Sequence, residues 1–288
     1  VDNQDIIFFD ANNDPYTNSD IATDIETNQD IIDQSIGTQN YDIGHLLGTN
    51  DGGLAYVANV CDSELKAQGY TGLRNPQGER FFIDLVAHEL GHQLGATHTF
   101  NATNSASCAQ SQRDNNTAYE PGSGSTIMSY SGICGSQNLQ SDSDPYFHAI
   151  SIENIRDHVD GFSQRNCGTK TDINNGIPEI QLAQSVYTIP ANAPFVLNGS
   201  AIDADDDSLI FTWEQFDSGG TLGATNSLDE LNSDNGNNPL FRSYNPTDEA
   251  QRYFPQLKDV LAGQTSLGET YATTNRDMRF RLTARDNK

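Results

Sequence analysis

Apolar residues recur along this chain in two different rhythms, and the change from one to the other divides it. The helical rhythm comes first. Ile21, Ile25, Ile32 and Ile36 fall on one face of a stretch over 20–36, with Ser19 or Asp20 as N-cap and Gly37 as stop. A second amphipathic stretch over 79–94 carries Phe82, Leu85, Val86 and Leu90. A third, introduced by 144–147 and capped by Ser151, places Ile152, Ile155 and Val159 on one stripe. Short apolar runs bounded by turn residues predict strands at 4–12, 41–47 and 52–61. The segment 61–78 reads as loop, and 100–124, rich in Asn, Ser and Gln, as a long surface loop held by Cys108. After a polar linker at 168–176 the rhythm shortens. PEIQLA, QSVYTIP, FVLNGSA and SLIFTWEQF are separated by Pro, Asn, Gly and Asp, the cadence of a β-sandwich, with Trp213 on the strand that crosses its core. Residues 218–271 read as an irregular insertion, and MRFRLTARDN as a late strand.

The expected organisation is therefore a mixed α/β domain over 1–167, the linker 168–176, and an all-β domain over 177–288; 288 residues suffice for two cores. Val1 is not an initiator Met, and no basic start with an apolar run precedes the first strand, so a processed or trimmed product is expected. The second domain also reads as truncated, because the chain stops where a final strand is due. No apolar stretch has the length of a membrane span.

Charge and cysteine narrow the partners. With 15 basic against 40 acidic residues and a net charge of −25, the surface repels nucleic acid phosphates and anionic lipid. The four cysteines, Cys61, Cys108, Cys134 and Cys167, match neither a C-x-x-C redox pair nor a zinc ribbon. They read as two disulfides, which places the chain in an oxidising, extracellular compartment. Three pairings are possible. Cys61–Cys167 with Cys108–Cys134 is favoured, since the first would tie the region before the 79–94 helix to the end of the domain. The acidic turn AIDADDDS offers Asp203, Asp205, Asp206 and Asp207 as oxygen ligands for Ca²⁺, against the plainer reading of a solvated turn.

The candidate chemistry sits at 88–98, HELGHQLGATH. His88 and His92 are four apart on a helix and face the same way. Gly95 lets the backbone leave through a positive φ, and His98 returns to the same point. Three imidazoles and a fourth position left for water describe a catalytic Zn²⁺. Glu89, beside the first ligand, is placed to reach that water without binding the metal. Three of the six histidines lie in these eleven positions, which argues against chance scatter. His148 and His158 are isolated and read as structural or solvent-facing.

This run resembles the metzincin signature H-E-x-x-H-x-x-G-x-x-H. GLAYV followed by Cys61 resembles the edge strand above the cleft in the reprolysin (adamalysin-like) branch, here of a bacterial type. The resemblance implies a twisted mixed sheet, a zinc helix, a methionine turn and a C-terminal helix. It also implies substrate pairing along Gly53, Leu54, Ala55 and Tyr56, and Met128 as the hydrophobic base beneath the metal. Tyr130 and the His-Thr-Phe at 98–100 look instead like other branches. Astacins and serralysins carry a Tyr there whose hydroxyl can approach the zinc and help to hold the oxyanion, and pappalysin-like enzymes also carry a Tyr at that place. Metzincin domains usually have more sequence upstream, so part of the amino-terminal fold is expected to be missing. The later strands resemble Ig-like or cadherin-like modules.

Together these readings predict a secreted zinc endopeptidase acting on proteins or peptides, with His88, His92 and His98 as ligands and Glu89 and Tyr130 as catalytic groups. The competing reading is an inactive adhesion or binding protein on the same scaffold. Oligomeric state and cleavage preference are not legible in the chain.

Overall fold

The isoleucine-faced helix forms where its period places it. Helix α1 runs Ile21–Ser35, with Asp20 accepting a hydrogen bond from the Thr23 amide and Gly37 following at φ +89°. Ile25 and Ile32 are buried, but so are three polar residues of the same helix, Asp24, Asn28 and Gln29. The amides have a definite task. Asn28 Nδ2 donates to the carbonyl of Ala67 (2.6 Å) and Gln29 Oε1 accepts from the amide of Ala67 (2.7 Å), so both backbone groups of one interior residue are satisfied.

The structure, a computed structural model, describes residues 4–10, 12–161, 167–286 and 288. They divide into two compact units, one made of 1–97 with 151–170, the other of 98–150 with 171–288.

In the first unit, strands β1 (Leu46–Gly48), β2 (Gly52–Ala55) and β3 (Gly69–Gly72) form a mixed sheet in the order β1-β3-β2. β1 runs parallel to β3 in the register Leu46↔Tyr70, and β2 antiparallel to it in the register Leu54↔Tyr70. The central strand lies in the segment expected to be loop. Only Tyr70 and Thr71 stand between its two glycines, too short a β-prone run to register as a strand, yet all four residues are buried. The strand expected at 4–12 is also corrected. Gln4–Ile6 is a 3₁₀ turn, nothing among the described residues pairs with 7–10, and Phe9 is 85 % exposed; Ala11 lies outside the described residues. A strand needs a ladder partner, and apolar residues alone do not supply one.

The helix expected at 79–94 forms with two pitches. Arg80–Ala87 is π-helical and leads directly into α2 (His88–Gln93), so the histidines stand on regular α geometry. The end of α2 is bound to its surroundings through Gln93. Its Nε2 donates to Gly44 O (3.0 Å), its Oε1 pairs with His45 Nδ1 (2.7 Å), and its carbonyl accepts from the Val60 amide (3.2 Å). Burial holds the His45 pKa below its usual value. Cys61 and Cys167 are disulfide-bonded, as are Cys108 and Cys134.

Helix α3 (Ala149–Asp160) begins two residues before the expected cap. Ser151 is inside it and fully buried, and the capping is done by others: Glu214 accepts from the Ala149 amide (2.9 Å) and His148 Nδ1 from the Ile150 amide (3.1 Å). His148 and His158 are both buried rather than solvent-facing.

In the second unit, strands pair two by two. β4 (Glu179–Gln181) joins β6 (Ser200–Ile202), β5 (Phe195–Asn198) joins β8 (Gln251–Phe254), and β7 (Ile210–Gln215) joins β9 (Phe280–Arg285), all antiparallel. No strand forms at QSVYTIP. The core holds Leu197, Trp213, Leu240, Phe241, Phe254 and Leu282. Three of these come from 218–271, the segment expected to be an irregular insertion, which thus contributes to the core and also holds β8 and the short helices α4 (Leu228–Leu231) and α5 (Leu257–Ala262). Leu240 and Phe241 leave no period in the sequence because they enter the core from backbone outside the strands, whereas Phe254 enters from β8.

Replacing Asn28 by Ala leaves the Ala67 carbonyl and the Tyr16 hydroxyl, which donates to Asn28 Oδ1, without their partners. The expected cost is about 1–3 kcal/mol of stability in urea denaturation. Asn40→Ala, which removes an exposed bond to the carbonyl of Ile36, should cost a few tenths; equal losses would show that Asn28 has no special structural weight.

Candidate metal centre

His88 and His92 project from adjacent turns of α2 with ring centroids 4.7 Å apart and planes at 85°. Helical geometry accounts for that pair. The third histidine needs the chain to reverse, and Gly95 does this at φ +107°, its amide donating to His92 O (2.8 Å). A Cβ at Gly95 would also stand 3.0 Å from the Cβ of His158 and 3.3 Å from the carbonyl of Asn154, so glycine is required twice over. One ring nitrogen from each of His88, His92 and His98 lies within 4.8 Å of the others. His88 and His92 are buried and His98 is half-buried.

The protons on these rings are directed. His92 Nδ1 donates to Ala96 O (2.8 Å) and His98 Nδ1 to Gln112 O (2.6 Å). A carbonyl can only accept, so when these rings are neutral Nε2 carries the lone pair, the form a metal binds. Burial lowers the His92 pKa, which favours the neutral ring. With the nitrogen that His88 brings to the same point, the three imidazoles are a donor set that fits Zn²⁺. One other set converges among the described residues, Asp42 with Cys61 and Cys167, but its sulfurs form a disulfide.

Glu89 is 6 % exposed, and burial pushes its carboxyl up to about 8. A cation bound at the histidines would draw it back toward the ionised form. Gly53 of the edge strand β2 lies directly against it: a Cβ there would stand 2.1 Å from Glu89 Oε1. Gly53, Leu54 and Tyr56 are exposed and Ala55 is half-buried; Tyr56 lies just past the strand, its amide donating to Gln68 O (3.3 Å).

Met128 is fully buried, and its carbonyl accepts from the amide of Thr99, the residue after His98 (3.0 Å). The Tyr130 ring is 4.4 Å from that of His98 and stacks on Phe100 (4.5 Å, 19°), while its hydroxyl donates to Gln112 Oε1 (3.4 Å).

Two residues of this neighbourhood had no sequence signal. Gln112 supplies the carbonyl under His98 and the side chain under Tyr130. Glu120, 1 % exposed, accepts from the hydroxyls of Thr99 (2.6 Å) and Thr126 (2.5 Å) and from the amides of Ser125 (2.8 Å) and Thr126 (3.2 Å). It thereby joins the chain after His98 to the chain before Met128. Both residues sit in an aperiodic polar loop, where one Gln or Glu looks like any other. In the acidic turn, Asp203 Oδ1 accepts from the amides of Asp205 and Asp207, and Asp207 pairs with Lys288 (3.2 Å). Its carboxylates do not form a converging set.

No helix among the described residues is long and apolar enough to cross a membrane. No curated protein and no solved structure matches the chain. A family model does: metallo-peptidase family M12B, reprolysin-like, matches residues 2–160. That span contains the three histidines, Glu89 and the Cys108–Cys134 disulfide, and with it the chain belongs to the reprolysin-like M12B metallopeptidases.

Proposed function

We propose that this chain is a secreted zinc endopeptidase. The observation that carries the reading is the convergence of three imidazole nitrogens beside a buried carboxylate that lies under an open sheet edge. His88, His92 and His98 would hold zinc, which would supply Lewis acidity toward the attacking water and the scissile carbonyl. Glu89 takes the proton of the attacking water and delivers it to the leaving amine. The Tyr130 hydroxyl donates to the developing oxyanion, and Met128 forms the apolar floor. An extended substrate pairs with β2 at Gly53–Ala55 and reaches Tyr56. Gly53, having no side chain, leaves the space that Glu89 occupies.

The two disulfides support export to an oxidising compartment. The strand pairs and the Trp213 core of 177–288 support an Ig-like or cadherin-like reading of that region. With Glu89 and all three histidines in place, nothing favours the inactive-scaffold alternative.

Glu89→Gln should keep its zinc by elemental analysis and lose nearly all cleavage of a quenched fluorescent peptide; retained turnover would remove Glu89 as the base. Tyr130→Phe should lower kcat by less, within the roughly 10²–10³-fold ceiling of an oxyanion donor, with KM little changed. In Gly53→Ala the added methyl displaces the Glu89 carboxylate, so kcat should fall at unchanged zinc content. An Ala variant as active as the parent would show that the strand does not set the position of the base.

A further inference from the structure

We propose that the loop 218–225, more than a hundred residues beyond the metal motif, is a working part of the metal centre: it holds Arg113, and through Arg113 the carbonyl of Gln112 that orients His98. The inference rests on His98 being a metal ligand.

The bonds run in sequence. Gln112 O takes the Nδ1 proton of His98 (2.6 Å). The next residue, Arg113, is 5 % exposed, and its guanidinium is bound by neutral oxygens. Nε and Nη2 donate to Asn101 Oδ1 (3.2 and 2.7 Å), Nη2 also to the carbonyl of Gly220 (2.7 Å), and Nη1 to Asn115 Oδ1. Asn101 is in turn tied to the loop, its Nδ2 donating to Gly223 O (2.6 Å) and its carbonyl accepting from the Thr225 amide (3.3 Å). Ser218 Oγ donates to Asn115 O (2.5 Å), and the Gly219 amide to Ala118 O (2.8 Å). Between these anchors, Thr117 Oγ1 donates to the carbonyl of His98 itself (2.7 Å). The third ligand is thus held at its ring and at its backbone by two turns, 112–113 and 115–118, and both are pinned by the same loop.

The dependence arises because the segment has no regular structure of its own. From 101 to 134 no helix or strand forms, so no ladder fixes the carbonyl of Gln112. The Asp114 carboxylate favours the charge from nearby, but the hydrogen bonds of the buried guanidinium all go to neutral oxygens, and losing one would leave a buried donor unsatisfied. The loop supplies one acceptor directly and fixes Asn101 and Asn115, which supply the others. The fit is close: a Cβ at Gly219 would stand 2.4 Å from Asn101 Oδ1 and 3.0 Å from Arg113 Nη2. Arg113 and the loop are positioning residues; neither touches the metal.

The test uses the full chain and reads metal affinity rather than turnover. Zinc dissociation constants by chelator competition and the visible spectrum of the cobalt-substituted protein are compared for the parent, His98→Ala, Arg113→Lys, Gly219→Ala, Ser218→Ala and Phe254→Leu. Lys cannot reproduce the guanidinium fork. Arg113→Lys and Gly219→Ala should raise the zinc Kd by roughly 10–100-fold, as loss of support for a ligating histidine does, and shift the cobalt bands. Ser218→Ala, the mildest change, should do so by a few-fold, and it decides the matter if the other two do not fold. Phe254→Leu, in the Trp213 core, should lower Tm and leave the Kd alone. Loop variants that lower Tm with parental Kd and cobalt spectrum overturn this inference only. A parent chain whose zinc affinity is no greater than that of His98→Ala overturns the metal reading, and this inference with it.

Discussion

Two backbone carbonyls, those of Ala96 and Gln112, take the Nδ1 protons of His92 and His98, and the chemistry of the centre depends on them. A neutral histidine binds a metal through its unprotonated nitrogen, and the hydrogen bond made by the other nitrogen fixes which one that is and how the ring is oriented. The two carbonyls are secured in different ways. Ala96 is four residues from His92 and comes just after the turn at Gly95, so local geometry brings it into place. Gln112 is fourteen residues from His98, in a segment without regular structure, so tertiary bonding must hold it.

That contrast runs through the fold. Where strands pair, the ladders satisfy the backbone, as they do for Leu197, Trp213, Phe254 and Leu282 of the second unit's core. Where it is irregular, buried polar side chains replace the missing ladder. Glu120 gathers amides and hydroxyls around the Thr99–Met128 contact, and Glu214 terminates α3. Asn28 and Gln29 serve the same purpose at Ala67. Each leaves few buried groups unsatisfied and replaces a solvent bond by a directional one, so uniqueness is gained along with stability. The acidity of the chain is therefore not only a surface property.

The compact units also cut across the order of the chain. Residues 98–150, which carry His98, Met128 and Tyr130, cluster with 171–288, while 151–170 returns to the amino-terminal unit. Arg113, Asn101 and Ser125 find their partners at Gly220, Gly223 and Ser243. A linear reading places a linker at 168–176 and an all-β domain over 177–288. The hydrogen bonds make that later segment a support for the one that bears the third histidine.

What the amino-acid sequence determined by itself was set within a few residues: α1 with a cap at Ser19 or Asp20, the i, i+4 pair of histidines, the reversal at Gly95, and Glu89 beside the first imidazole. Each comes from helix periodicity or from the steric freedom of glycine, which act at short range. The tertiary structure alone decided the rest. β3 is a strand because it lies between β1 and β2, not because Tyr70 and Thr71 prefer to be one. Helix α3 begins at Ala149 because Glu214 reaches its amide, so Ser151 is not needed as a cap. His98 presents Nε2 because Gln112, Arg113 and a distant loop hold its other nitrogen. Such contacts join residues far apart in the chain through single hydrogen bonds, and single hydrogen bonds leave no period in a sequence.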